Sequence, residues 1–299
     1  MNDELLDCLI VGGGAAGLTA AVYMGRYRRR ALVVDDDGSR LKLIPRTRNV
    51  PGFPDGIEGP ELLERLRAQA ARYHVPMEAA RIDRVQRLPD GSFRARAGDR
   101  AWHARFLLLA TGARDVEPEI EGVVEATRAG QVRYCPICDG YETEGRRVAV
   151  LGRAGHGLRE SLFLANWGNE ITWLSMATQE EVGAADLASL RAAGVRIADS
   201  PPHRIDCGVD GVGVRVQLQN GQALEFDMLY PALGLHHACE LATALGARAC
   251  EDGQLEVDRH QQTTIEGLYV AGGNADLVQV HRHVAGHAAI AATAIHNRL

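Results

Sequence analysis

The sequence predicts an α/β protein of two three-layer, doubly wound nucleotide-binding units, the second inserted into the first. Three observations carry that expectation. A glycine-rich loop stands between a strand and a helix. The same strand–loop–helix–strand pattern returns about 140 residues later. Two later apolar runs read as buried strands ending in glycines. The chain has 299 residues, enough for two such units. Its 46% hydrophobic and 24% charged content is that of a folded chain, not a disordered one.

The first unit opens on the apolar run 8–11, followed by Gly12-Gly13-Gly14-Ala15-Ala16-Gly17 and a helical pattern to Tyr27. A second strand, 31–34, ends in Asp35. Gly12, Gly14 and Gly17 satisfy G-x-G-x-x-G in its required context, with an acid about 20 residues on. Gly12 permits the tight turn, Gly14 lets the backbone approach a pyrophosphate, and Gly17 lets the helix pack close to the strand. The helix N-terminus faces the phosphates and Asp35 accepts from ribose hydroxyls.

Next comes an amphipathic helix over 61–73, with Leu62, Leu63, Leu66 and Ala70 on one face and Pro60 near its start. Strands follow at 92–97 and 101–109, the second running into Ala110-Thr111-Gly112. Cys135-Pro136-Ile137-Cys138 then precedes Asp139-Gly140. The second copy comprises the apolar run 148–151, the loop Gly152-Arg153-Ala154-Gly155-His156-Gly157, a helix to about Trp167, and a strand, 171–174, that ends at Ser175. Ala154 replaces the middle glycine and Ser175 the acid, which leaves two readings open: a second nucleotide site, or a fold retained with nucleotide binding weakened or lost. Strands at 213–218 and 224–230 flank an Asn220-Gly221 hairpin signal. The run 268–273 is a buried strand ending in Gly272-Gly273, and 285–298 is an Ala-rich helix. Crossings near residues 117–121 and 245–252 divide the chain into 1–117 plus 247–299 and an inserted 118–246.

Net charge is −6, and only Lys42 of the 33 basic residues is a lysine. The arginines read as scattered, with no basic block, so nucleic acid is not an expected partner. Six cysteines are too few for a disulfide scaffold. The acidic N-terminus is no signal peptide and no apolar run spans a membrane. These features make the cytoplasm the expected setting, and there a close cysteine pair is expected to be catalytic or metal-binding rather than structural. A C-x-x-C is a redox dithiol, half a zinc site, or a coincidence. Cys207, Cys239 and Cys250 are isolated, which leaves zinc without a second ligand pair, so no metal is expected. As a dithiol the pair attacks a disulfide as thiolate, and Asp139 either shuttles the proton or merely shapes the turn. A dithiol beside a dinucleotide fold points to electron flow between a flavin and the thiols.

With these residues in hand, the chain resembles the low-molecular-weight thioredoxin reductases, the class II pyridine nucleotide-disulfide oxidoreductases. The resemblance rests on Gly12–Gly17, on Asn49-Val50-Pro51-Gly52-Phe53-Pro54 with Gly59-Pro60-Glu61-Leu62, and on Ala110-Thr111-Gly112. It rests also on Cys135 to Gly140 placed before the second loop, and on Gly267 to Gly272. It implies FAD in the discontinuous unit and NAD(P)H in the inserted one. It implies FAD contacts from Gly12, Gly14, Ala15, Ala16, Gly17, Asp35, Ser39, Arg40, Asn49, Asp83, Ala110, Thr111, Gly112, Gly272, Gly273 and Asn274. Cys138 then exchanges electrons with the flavin, Cys135 faces the substrate, and Asp139 is the acid–base residue. A homodimer follows by the same analogy.

Two departures bear on function. The family's second loop reads G-G-G-x-[ST]-A and is followed by a basic H-R-R element. Here His156 lies in the loop and Leu174-Ser175-Met176-Ala177-Thr178 replaces the basic element, which points away from NADPH as donor. The family's A-G-D reads Ala271-Gly272-Gly273-Asn274, with Asn274 as the substitute hydrogen-bonding group. Past it stand Val280, His281, Arg282 and His283, and then His287; these histidines read as a charge or base near the flavin, or as ordinary helix and loop residues. Three functions remain open: a reductase serving a thioredoxin-like protein or small disulfide, a nicotinamide-independent dithiol oxidase using oxygen, and a non-catalytic flavoprotein redox sensor.

Overall fold

The computed structural model describes residues 5–176, 182–208, 212–276 and 284–299. The chain divides into two compact units: Met1–Lys42, Gly59–Arg114 and His236–Leu299 form one, Leu43–Glu58 and Asp115–Leu235 the other.

In the first unit, strands Met77–Ala79, Ala31–Asp35, Leu6–Val11 and Arg100–Leu109 lie side by side in parallel, and Leu268–Val270 joins the far side of Arg100–Leu109. Arg100–Leu109 is ten residues long and serves two sets of partners. Its later half pairs with Leu268–Val270, and its earlier half runs antiparallel to Phe93–Ala97, which pairs in turn with Arg84–Arg87.

Successive strand residues face opposite sides, so each strand feeds two cores. Cys8, Ile10 and Leu108 pack under the helices Ala15–Arg26 and Val284–His296. Leu9, Val11, Leu107 and Leu109 pack with Phe93 and Ala95 of the antiparallel strands. Leu107, Leu108 and Leu109 are all fully buried, each contributing about 2 kcal/mol of transfer free energy. Ala288, Ala291 and Ala292 are fully buried in the same core as Leu18 and Ala21. Their small side chains let the last helix lie close to the first.

The second unit ends at Leu235, earlier than the sequence suggests. Residues 236–246 join the first unit because Cys239 and Ala242 bury against its second core. The unit holds a parallel sheet in the order Arg196–Ile197, Glu170–Ser175, Arg147–Gly152, Met228–Ala232. Val148, Val150 and Trp173 pack toward the helix Ala154–Ala165. Ala149, Leu151 and Leu174 pack on the other face against the antiparallel strands Pro202–Cys207, Val214–Leu218 and Ala223–Phe226. Both units are therefore three-layer α/β folds of Rossmann-like type.

Five of the arginines come together in space. Arg26, Arg28, Arg29, Arg30 and Arg72 line one cavity of about 550 Å³ in the first unit, with Tyr73 and His74. Two helices end there, Ala15–Arg26 and Gly59–Arg72. Their meeting gathers residues that lie far apart along the chain.

Candidate active site

In the first unit the predicted residues gather at the carboxyl ends of the parallel strands. Gly12 has φ +104°, and a Cβ there would lie 2.4 Å from the Ala110 carbonyl oxygen. A Cβ on Gly17 would lie 1.8 Å from the Gly12 carbonyl oxygen. These glycines seat the helix on the strand. At Gly14 the nearest atom to such a Cβ is Ser39 Oγ, 3.4 Å away, so the backbone there is open on one side. Gly14 is also the N-cap of Ala15–Arg26, whose free N–H groups point outward at that opening.

Asp35 is buried and accepts the Gly13 N–H at 2.8 Å through Oδ1. Its Oδ2 lies 3.6 Å from Arg67 Nη2, which also pairs with Asp37 at 2.8 Å. Lys42 and Arg67 both donate to Asp37 and hold its carboxyl below the usual range. Arg67 was not legible as a site residue, because its position on the helix Gly59–Arg72 carries no motif. Ser39 Oγ accepts from Leu41 N–H at 3.3 Å, and Arg40 begins the short 3₁₀ helix Arg40–Leu43. Ala80 N–H donates to the Asp35 carbonyl, so the segment leading to Asp83 passes the end of that strand. The Asp83 carboxylate itself accepts Gly98 N–H at 2.9 Å and shapes a turn.

The other strand ends close the cradle. A Cβ on Gly272, which has φ +103°, would meet Ala16 Cβ at 3.2 Å, and one on Gly273 would meet Ala113 Cβ at 3.5 Å. Ala238 N–H donates to the Gly112 carbonyl. Asn274 is fully buried; its Nδ2 donates to Thr111 Oγ1 at 2.9 Å, and Thr111 donates to the Ala238 carbonyl at 2.6 Å. Asn274 Oδ1 is buried with no hydrogen-bond partner. A buried orphan acceptor costs about 1–3 kcal/mol unless a ligand satisfies it. The open backbone at Gly14 and this acceptor both fit a dinucleotide such as FAD.

Asn49, assigned to FAD by the resemblance, lies in the second unit. There its Nδ2 donates to the Ile137 carbonyl at 3.1 Å, inside the C-x-x-C turn. Cys135 and Cys138 are joined in a disulfide. Pro136 starts the short helix Pro136–Asp139, and Cys138 N–H donates to the Cys135 carbonyl at 2.9 Å. Pro at the first helical position needs no N–H partner, which suits this tight turn. A Cβ on Gly140 would lie 2.9 Å from the Trp167 ring, so the residue after Asp139 must stay small.

Asp139 is buried, and both its oxygens are occupied. Arg133 Nη1 donates to Oδ2 at 2.8 Å and Tyr230 OH donates to Oδ1 at 2.7 Å. Burial first, then the Asp139 charge, pushes the fully buried Tyr230 phenol well above its ordinary range, so it stays a donor. Neither residue was singled out from the sequence, since Tyr230 lies in a run that reads as core.

The second glycine loop is a packing device. Trp173 Nε1 donates to the Gly152 carbonyl at 3.0 Å, and a Cβ on Gly157 would lie 2.5 Å from that nitrogen. Gly155 has nothing within 4 Å of such a Cβ. On the same helix Glu160 Oε2 is buried with no hydrogen-bond partner, and burial raises its carboxyl to about 8. Ser175 is buried at the end of its strand, and residues 177–181, where the basic element would fall, lie outside the described residues. His281 and His283 also lie outside them, while His287 is buried on Val284–His296. Among the described residues no helix is long and apolar enough to cross a membrane.

Residues 6–294 match the family described as Pyridine nucleotide-disulphide oxidoreductase. A thioredoxin reductase of Mycolicibacterium smegmatis is 28% identical over 280 residues, covering 90% of this chain and 88% of the relative. Among solved structures, HlmI superposes with a TM-score of 0.90 at 27% identity, covering 98% of this chain and 92% of that one. An oxidoreductase from Agrobacterium tumefaciens gives a TM-score of 0.85 at 27% identity, covering 98% of each chain. The chain therefore belongs to the pyridine nucleotide-disulphide oxidoreductase family, as a thioredoxin reductase-like, flavin-dependent thiol–disulfide oxidoreductase.

Proposed function

We propose that this chain passes two electrons between FAD, the Cys135–Cys138 pair and a thioredoxin-like protein or a small disulfide or dithiol. The observation that carries the reading is the disulfide across Cys135 and Cys138 with the carboxyl of Asp139 buried at the end of the same short helix. Bound FAD supplies the two-electron step that side chains lack. The backbone of Gly12, Gly14, Ala15, Ala16 and Gly17 would hold its pyrophosphate and Asp35 its ribose. Ser39, Arg40, Ala110, Thr111, Gly112, Gly272, Gly273 and Asn274 would enclose the rest. When the pair is reduced, Cys135 Sγ attacks the substrate disulfide and Cys138 Sγ then displaces the substrate from Cys135. Asp139 exchanges the proton with the departing sulfur. The enzyme works in the cytoplasm as a homodimer.

A second reading is a nicotinamide-independent dithiol oxidase. Ala154 in the middle of the second loop and Ser175 at the ribose position favour it, because neither recognises a dinucleotide. Anaerobic mixing of the oxidised protein with NADPH, then NADH, separates the two. Rapid bleaching of the flavin band supports the reductase and sinks the oxidase. Bleaching by a small dithiol alone, with recovery and peroxide release in air, does the reverse. A colourless protein that takes up no FAD removes both.

A further inference from the structure

Asp139 does not stand alone beside the disulfide. The segment 131–133 runs as a short parallel bridge along the strand Met228–Ala232: Leu229 N–H donates to the Gln131 carbonyl and Arg133 N–H to the Leu229 carbonyl. That register sets Arg133 beside Tyr230. Arg133 is held further by its Nε, which donates to the Gly130 carbonyl at 2.9 Å. Tyr230 is immobile because the second unit's core surrounds it completely. Two fixed donors from different parts of the chain thus converge on one carboxylate, Arg133 on Oδ2 and Tyr230 on Oδ1. The other charged group acting on Tyr230 is Glu142, itself paired with Arg48 at 3.6 Å.

We propose that Arg133 and Tyr230 are positioning residues for thiol–disulfide exchange, holding Asp139 as the proton acceptor for the Cys135–Cys138 pair. This rests on the dithiol function proposed above. The two donors take one lone pair on each oxygen and fix the orientation of the carboxylate at the end of the C-x-x-C helix, and each oxygen keeps a second lone pair to accept a proton from a thiol. When a reduced Cys135 opens a substrate disulfide, the Cys135–substrate bond forms and the substrate S–S bond breaks. The departing sulfur then takes that proton from Asp139. Cys138 next gives up its proton, forms the bond to Cys135 and releases the second substrate sulfur, which takes up that proton; the substrate gains two electrons and two protons and the pair loses them. Paired with Asp139, the guanidinium also offsets the carboxylate charge that directly follows Cys138, a charge that would otherwise disfavour the thiolate.

The test uses the whole protein, reduced with dithiothreitol, with iodoacetamide alkylation of the pair followed from pH 5 to 9. A neighbouring opposite charge moves a titration by one unit or more. At pH 7 Arg133→Gln therefore alkylates about tenfold more slowly, with its midpoint moved to higher pH. Arg133→Lys keeps the charge but loses the Nε bond to Gly130, and recovers most of the rate. Tyr230→Phe shifts the midpoint in the same direction by less. Superimposable profiles for wild type, Arg133→Gln and Tyr230→Phe would overturn the proposal, as would Lys behaving like Gln, which marks a purely structural role. Undiminished turnover in Cys138→Ser would instead overturn the parent reading. Melting curves for each variant confirm folding.

Discussion

Asn274 Nδ2 and Thr111 Oγ1 lie 2.9 Å apart, while the Oδ1 of the same buried amide has no partner. One half of the amide joins two strand ends; the other half is a buried acceptor with no partner, which a bound ligand would satisfy. Asn274→Ala is expected to weaken FAD binding by about 1–2 kcal/mol, roughly tenfold in Kd, through the lost hydrogen bond. Flavin fluorescence titration measures it. An unchanged Kd would mean that Asn274 only ties Thr111 in place.

Gly17 of the first loop and Gly155 of the second should respond oppositely to alanine. Gly17→Ala forces a methyl to 1.8 Å from the Gly12 carbonyl and should cost about 3 kcal/mol or more, with loss of bound flavin. Gly155→Ala meets open space on a helix and should raise stability by about 0.5–1 kcal/mol. Thermal melts of the two variants check both signs.

Replacing Cys138 by Ser, or Asp139 by Asn, should reduce turnover with a disulfide substrate. Loss of the thiol abolishes it, and loss of the carboxyl slows it about 10²-fold, the usual worth of a positioned acid–base group. Steady-state assays over pH 6–9 separate the two. Full activity in Cys138→Ser would reject the dithiol mechanism.

Glu160 gives the stability a pH dependence of known sign. Burial first, and then the nearby Asp115 charge, raise its folded-state pKa to about 8 from 4.5. The folded chain therefore binds this proton more tightly than the unfolded chain. Glu160's contribution is fully present below about pH 4.5. It declines as pH rises and is lost by about pH 8. Glu160→Gln should gain on the order of 1–2 kcal/mol over wild type at pH 8 and almost nothing at pH 5. Chemical denaturation at the two pH values tests this.

Thiol labelling of the native protein should reach the exposed Cys207 first and the half-buried Cys250 after it. Burial pushes the Cys8 thiol far up and Cys239 up to about 11, so both should react only after unfolding. Mass spectrometry after timed alkylation reads the order.

The first nucleotide loop was legible because glycine spacing along one strand–helix junction is a local property. Gly12 and Gly17 each have a steric reason that a one-dimensional pattern carries. The same holds for Cys135, Cys138 and Asp139, which share one turn. The place of Asn49 was not legible, because it depends on which unit the segment 43–58 packs against.

By itself the sequence determined the two α/β units, the cysteine pair and the loss of an acid at Ser175, since each follows from neighbours within about 25 residues. The tertiary structure alone decided that Arg133 and Tyr230 meet on Asp139, that Arg67 stands by Asp35, and that Asn274 leaves one acceptor open. These contacts join residues from separate elements. Their existence depends on strand register and on which faces are buried, which residue spacing does not encode.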